Sequence, residues 1–275
     1  MIVATKRIEC VVQIGGIAIA LRTDDRRFLE LLCQRYAGFL SSSQPELELD
    51  FDLTSPGPVS DDDVRVRREG GEWLLERGDF QARWDPLTGR GHVRQNPNPY
   101  ALDSVLRILH SLVLATRGGF LLHAASAICD GQAYLFSGVS GAGKTTLTRL
   151  APASVTLLTD EISYVRPSPV GYSASGTPFS GELAKAGENT IAPVSALFFL
   201  DKGPENRVEE LSPSEAVRRL MRNILFFAED HDLVEKLLAT ACDFVQRVPV
   251  RRLTFYPDSR VWDEIRNFEG MPAHA

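Results

Sequence analysis

The sequence contains no CxxC pair and no cysteine–histidine spacing suited to zinc. Its four cysteines, Cys10, Cys33, Cys129 and Cys242, stand apart and read as reduced thiols. No stretch approaches the ~20 apolar residues needed to span a bilayer, so no membrane partner is expected. The start, MIVATKRIECVVQ, lacks the apolar run of a signal peptide, which makes the cytoplasm the expected location. A basic excess is also lacking. The formal net charge is −6 and the pI near 5.5, which argues against a general nucleic-acid binder. Internal repeats and low-complexity tracts are absent as well. What remains is a 275-residue chain with 44% hydrophobic and 24% charged residues, enough for one large domain or two small ones.

Two strands flank the turn signal Gly15-Gly16 over residues 8–22, and a helix is predicted over 24–37. Strands are predicted over 46–53, 64–68, 72–76 and 80–84, separated by Gly, Pro and Asp clusters. Asn98-Pro99 then opens a helix, asparagine as its cap and proline at its first position. Its apolar stripe is Leu102, Val105, Leu106, Leu109, Leu112 and Val113, and Gly118-Gly119 ends it. The pattern changes here, which puts a domain boundary between residues 96 and 97. Beyond it, strands are predicted over 120–128, 132–137, 155–158, 162–166, 171–175, 196–200 and 248–255. Helices are predicted over 144–150, 212–223 and 232–246, with a short one at the end. Ser212-Pro213-Ser214-Glu215 is a capping box with proline at the first helical position.

Gly138-Val139-Ser140-Gly141-Ala142-Gly143-Lys144-Thr145 matches the phosphate-binding pattern GxxxxGK[ST] in full. Glycines let the backbone curl so that successive N–H groups face phosphate oxygens. The helix that follows adds its positive end. The binding set is Gly138, Ser140, Gly141, Ala142, Gly143, Lys144, Thr145 and Thr146. Lys144 would reach the β- and γ-phosphates, Thr145 would place a hydroxyl on Mg²⁺, and Thr146 would hydrogen-bond another phosphate. The context, a buried strand before and a helix after, favours a nucleotide site over a plain glycine turn. The motif alone leaves the reaction open, because transporter ATPases, GTPases and kinases share it.

A Leu-Ser-Gly-Gly-Gln signature and an Asn-Lys-x-Asp base-reading motif are both missing, which removes the first two classes. In their place stands an acidic pair, Asp160-Glu161, sixteen and seventeen residues beyond Lys144 at the end of a short strand. A carboxylate there can hold Mg²⁺ or accept a proton from an attacking hydroxyl. His123 lies fifteen residues before Gly138, in a strand that leads toward the loop.

A histidine, a strand pair, GxSGxGKTT and then an acidic pair resemble the catalytic domain of HPr kinase/phosphorylase. The same layout recurs in phosphoenolpyruvate carboxykinase, whose His-Cys-Ser-Ala-Asn looks like His123-Ala124-Ala125-Ser126-Ala127. The resemblance covers residues 120–200 and implies an α/β P-loop kinase domain at 97–275 behind a smaller α+β domain at 1–96. By resemblance, Asp160 is a general base or a Mg²⁺-linked carboxylate, and Glu161 stands where the family has a second Asp. His123 would contact the transferred phosphate or the base, and Glu182 matches a family glutamate near the metal. Arg218, Arg219, Arg222, Arg251 and Arg252 are candidates to neutralise phosphate charge. The family's Glu-x-Arg-Gly is not legible here. The expected reaction is transfer of phosphate from ATP, with Mg²⁺, to a serine-type hydroxyl on a peptide, protein or small molecule. The rival expectation is a nucleotide-sensing module or assembly partner with little or no kinase activity. Self-association is expected by analogy with relatives.

Overall fold

The computed structural model describes residues 7–55, 60, 62–179, 181 and 187–268. It is a mixed α/β structure with two sheets. By contacts the chain divides into two compact units, residues 1–113 with 226–234 and residues 114–225 with 235–275.

In the first unit, β1 (Ile8–Ile14) and β2 (Ile17–Thr23) form an antiparallel hairpin around Gly15-Gly16. Helix α1 (Arg26–Arg35) follows, capped by Asp25, whose carboxylate accepts from the Phe28 N–H at 2.8 Å. Strands β3 (Leu47–Leu53), β4 (Arg65–Glu69), β5 (Glu72–Arg77), β6 (Phe80–Asp85) and β7 (Arg90–Gln95) complete a seven-stranded sheet in the order β1-β2-β3-β7-β6-β5-β4. The strand β7 was not predicted. Its sequence RGHVRQ carries one aliphatic residue, Val93, and its alternation is too thin to read, yet β3 and β6 pair with it on both sides. Helix α2 (Pro99–Thr116) starts where predicted, with Asn98 Oδ1 accepting from the Tyr100 N–H at 2.9 Å. Every residue of its predicted stripe is buried.

The second unit begins with β8 (Phe120–Cys129) and β9 (Gln132–Ser137), joined by an Asp130-Gly131 turn with both residues at positive φ. Then come α3 (Lys144–Arg149), β10 (Thr156–Thr159), β11 (Ile162–Ser168), β12 (Gly171–Ser175), β13 (Ile191–Lys202), β14 (Arg207–Glu210), α4 (Pro213–Asn223), β15 (Ile224–Leu225), α5 (His231–Arg247), β16 (Val250–Phe255) and α6 (Val261–Asn267). The strands make a nine-stranded sheet in which β9, β13 and β16 run parallel and their neighbours mostly antiparallel. The strand predicted over 196–200 extends to Ile191–Lys202, because its ends carry exposed or polar residues that do not read as core. The short β14 and β15 were not predicted. One is an edge strand of sequence RVEE and the other has two residues.

The core beneath the β9–α3 connection is aromatic. Phe136 stacks on Phe198 at 5.8 Å between ring centroids and meets Trp262 edge-on at 5.6 Å. The Trp262 indole Nε1–H donates to the Leu147 carbonyl at 3.2 Å, which ties α6 to the end of α3. Trp262 is fully buried. Trp262→Ala is therefore expected to cost about 3–5 kcal/mol. Trp262→Phe, which keeps most of the volume but loses the donor, should cost less, with about 1 kcal/mol from the hydrogen bond. Urea unfolding of the two variants against the parent chain checks the order.

Candidate functional site

The glycine loop leaves β9 at Gly138 and enters α3 at Lys144. β9 pairs antiparallel with β8, Ser137 facing Ala124, and parallel with β13, Ser137 facing Phe199. Gly143 has φ 112°, and a Cβ there would lie 2.7 Å from the Phe255 ring, so only glycine fits without displacing that ring. The loop is braced by the Ala142 N–H donating to the Val139 carbonyl at 3.0 Å and the Leu147 N–H donating to Gly143 at 2.8 Å. Lys144 is only 8% exposed, and its ammonium donates to the Gly138 carbonyl at 3.1 Å. Ser140 and Thr146 are exposed and Thr145 half-buried in the first turn of α3.

His123 is the fourth residue of β8, paired with Ile162 of β11. Ser137 Oγ donates to its carbonyl at 2.8 Å. Strands β10 and β11 both pair with β8, and Asp160-Glu161 is the two-residue link between them. The Ala124 N–H donates to the Glu161 carbonyl at 3.1 Å, which fixes that link next to His123. His123 Nε2 lies 3.6 Å from Glu161 Oε1. Asp160 is 3% exposed, and its Oδ1 accepts from the Gly181 N–H at 3.0 Å. A Cβ on Gly181 would come within 2.6 Å of Glu161 Oε2 and 3.1 Å of Asp160 Oδ2, so the glycine lets the backbone close on both carboxylates.

The imidazole of His123 is held below its ordinary pKa, first by burial, then by the charge of Lys144, with Glu161 opposing. The histidine is therefore neutral near pH 7. It also lies within electrostatic reach of both the loop lysine and the acidic link. Among the described residues no group of three or more His, Cys, Asp or Glu side chains converges to hold a metal.

A cleft of about 520 Å³ opens beside Gly138, Val139 and Ser140, and His123, Asp201, Arg218, Arg219 and Arg222 also line it. Arg219 Nη1 donates to Asp201 Oδ2 at 3.0 Å and its Nε to Glu215 Oε1 at 2.8 Å, while Arg218 also pairs with Glu215. Together Arg219 and Arg218 hold the Glu215 carboxyl below its usual range. Of the five candidate arginines, the structure brings the three on α4 to this cleft. Arg251 and Arg252 pair instead with Glu210 and Glu209 across the β14–β16 edge. Glu182 lies outside the described residues. Asp201 was not singled out from sequence. Its signal was available, since it is the first carboxylate after the apolar run Ala196–Leu200.

A glycine loop joining a buried strand to a helix, inside a mixed α/β unit, thus stands with a histidine and an acidic link at its side. A family model described as SynChlorMet cassette protein ScmC matches residues 100–268, more than half of the chain, and the chain belongs to that family. Among solved structures, the HPr(Ser) kinase/phosphatase from Coxiella burnetii matches with a TM-score of 0.31 and 12% identity, over 54% of this chain and 95% of that one. No curated protein matches the chain. No helix among the described residues is long and apolar enough to cross a membrane.

The electrostatics of His123 give a test that needs no activity. Lys144→Met removes a positive neighbour and should raise the His123 pKa. Glu161→Gln removes the opposing negative charge and should lower it further. NMR titration of the imidazole in the two variants checks both signs.

Proposed function

We propose that the second unit is a P-loop phosphotransferase of the HPr kinase/phosphoenolpyruvate carboxykinase type. In this reading it moves a phosphoryl group from ATP, with Mg²⁺, to a serine-type hydroxyl. One observation carries the proposal: Asp160-Glu161 is pinned through Ala124 to the same stretch of β8 that holds His123 and pairs with the strand ending at the loop. ATP supplies the transferred group, and ADP leaves.

The loop amides of Gly138, Ser140, Gly141, Ala142 and Gly143 would hold the phosphates, with Thr146 adding a hydroxyl. Lys144 would turn from the Gly138 carbonyl to the transferred group and balance the charge that builds there. Thr145, with Asp160 or Glu161, would hold Mg²⁺. Asp160 would accept the proton of the acceptor hydroxyl as its oxygen bonds to phosphorus and the bond to the ADP oxygen breaks. Neutral His123 can accept a hydrogen bond at one nitrogen and donate from the other, which suits it to orient the acceptor or the phosphate. The family description names a cassette, which directs the search for acceptors to the products encoded alongside.

A specific observation favours the rival reading, a nucleotide-binding module that transfers little or nothing. Arg219 is already engaged by two carboxylates and Arg218 by one, so neither faces the loop as a free cation. The experiment follows labelled phosphate from Mg-ATP to the candidate peptides and proteins. Transfer that falls about a hundredfold or more in Lys144→Ala and Asp160→Asn, with circular dichroism unchanged, supports the kinase. Asp160→Asn at the parent rate removes the base assignment. ATP binding by calorimetry with no phosphorylated acceptor favours the module.

A further inference from the structure

The three arginines that α4 brings to the charged cleft are not equivalent. Arg219 is held by Asp201 and Glu215, and Arg218 by Glu215. Arg222 is an exposed side chain in the last turn of the helix, and among the described residues no carboxylate pairs with it. Three guanidiniums and two carboxylates thus line the cleft, which leaves one positive charge uncompensated. The chain just past the helix places that charge. Ile224 pairs with Leu122 of β8, the residue before His123. Arg222, two residues before Ile224, therefore belongs to the end of α4 that meets the His123 strand, while Arg219, a turn back, is tied through Asp201 to the end of β13.

We infer that Arg222 reads a negative charge on the acceptor, and that the acceptor is a peptide serine flanked by an acidic residue. The inference rests on the phosphotransferase reading and adds the substrate class and the residue that selects it. A guanidinium meets a carboxylate through two parallel charge-assisted hydrogen bonds, and a carboxamide brings no charge to match. Arg218 and Arg219 cannot do this without giving up the carboxylates they already hold. Arg222 gives up nothing.

The openness of the cleft favours a chain over a small molecule. Small-molecule sites bury most of their ligand. Here Val139, at the loop, is 77% exposed and the Arg218 side chain 54%. Such a rim lets a peptide enter and leave on either side of its serine. An arginine in the last turn of a helix is also favoured by the helix's negative end. That role concerns stability and would not make binding follow the charge of a peptide.

The test titrates the full chain, followed by NMR, with the capped peptide acetyl-Ala-Asp-Ser-Asp-Ala-amide and its counterparts with Asn or Lys in place of both Asp. Mg-ATP binding is measured alongside. The parent chain should bind the acidic peptide about tenfold tighter than the Asn peptide, and the Lys peptide most weakly. Arg222→Gln should remove the difference between the acidic and Asn peptides. Arg222→Lys should keep part of it, and Arg222→Glu should put the Lys peptide first. The inference is overturned if the parent fails to bind the acidic peptide, or binds it no tighter than the Asn peptide. It is overturned equally if Arg222→Gln keeps the parent's preference, and a loss of Mg-ATP affinity in that variant would then assign the arginine to the nucleotide. In each of these cases a parent that binds Mg-ATP leaves the phosphotransferase reading standing. A parent that does not bind Mg-ATP removes that reading, and with it the peptide's role as acceptor.

Discussion

Strand β9 is hydrogen-bonded on both flanks, and the placement of every group around the glycine loop follows from that. Its antiparallel partner β8 puts Ala124 opposite Ser137, one residue before the loop, and so sets His123 beside the loop's start. Its parallel partner β13 puts Phe199 opposite the same Ser137 and carries Asp201 past it. Side chains alternate faces along a strand, so a slip of one residue in either ladder would turn His123 or Asp201 to the opposite face. Such slips are resisted by the buried residues of both strands, where Ala124, Ala125, Phe198 and Phe199 have no exposed alternative of equal energy. The geometry of the charged cleft is in this sense a consequence of core packing several ångströms below it.

The acidic link is held by the same logic with backbone atoms. Because β10 and β11 both lie along β8, the chain must cross from one to the other within two residues, and those residues are Asp160 and Glu161. The Ala124 N–H spans the crossing, and the Gly181 N–H meets the Asp160 carboxylate from the other side. A carboxylate at 3% exposure is costly unless paired. The arginines of α4 meet their carboxylates in the same spirit. Asp201 and Glu215 fix the Arg219 fork in one orientation, so a phosphate entering the cleft would compete with carboxylates for a guanidinium already in place.

The loop was legible in the sequence because everything it needs is contiguous. Gly138 to Thr145 carries its own conformational demands, the four residues before it read as a buried strand, and the helix begins at the lysine. Most strand and helix positions were legible for a related reason, since one face of each is apolar and turn residues bound it. The exceptions are informative. In β7, Arg90–Gln95, one aliphatic residue suffices because the strand is paired on both edges, and pairing leaves no trace in the sequence. The ends of β13 were missed because a strand can outrun its buried middle. The sorting of the five arginines was not legible at all. Arg218, Arg219 and Arg222 belong to the cleft because α4 is laid beside the loop, while Arg251 and Arg252 are taken up by Glu210 and Glu209 on a strand, β14, that the sequence did not reveal.

The weakest element at the site is also the most central one. Helix α3 runs only Lys144–Arg149, six residues, too short to be stable through its own hydrogen bonds. A helix of that length has little macrodipole to offer, so the positive field at the loop must come mainly from the curled amides and the Lys144 ammonium. Its persistence depends on two contacts from the end of the chain. Phe255 fills the space that any side chain at position 143 would need, and Trp262 adds a side-chain donor to the Leu147 carbonyl, which also accepts from the Leu150 N–H at 3.2 Å near the end of so short a helix. The strand β16 and the helix α6 are thus part of the phosphate loop in the physical sense, although more than a hundred residues of sequence separate them from it.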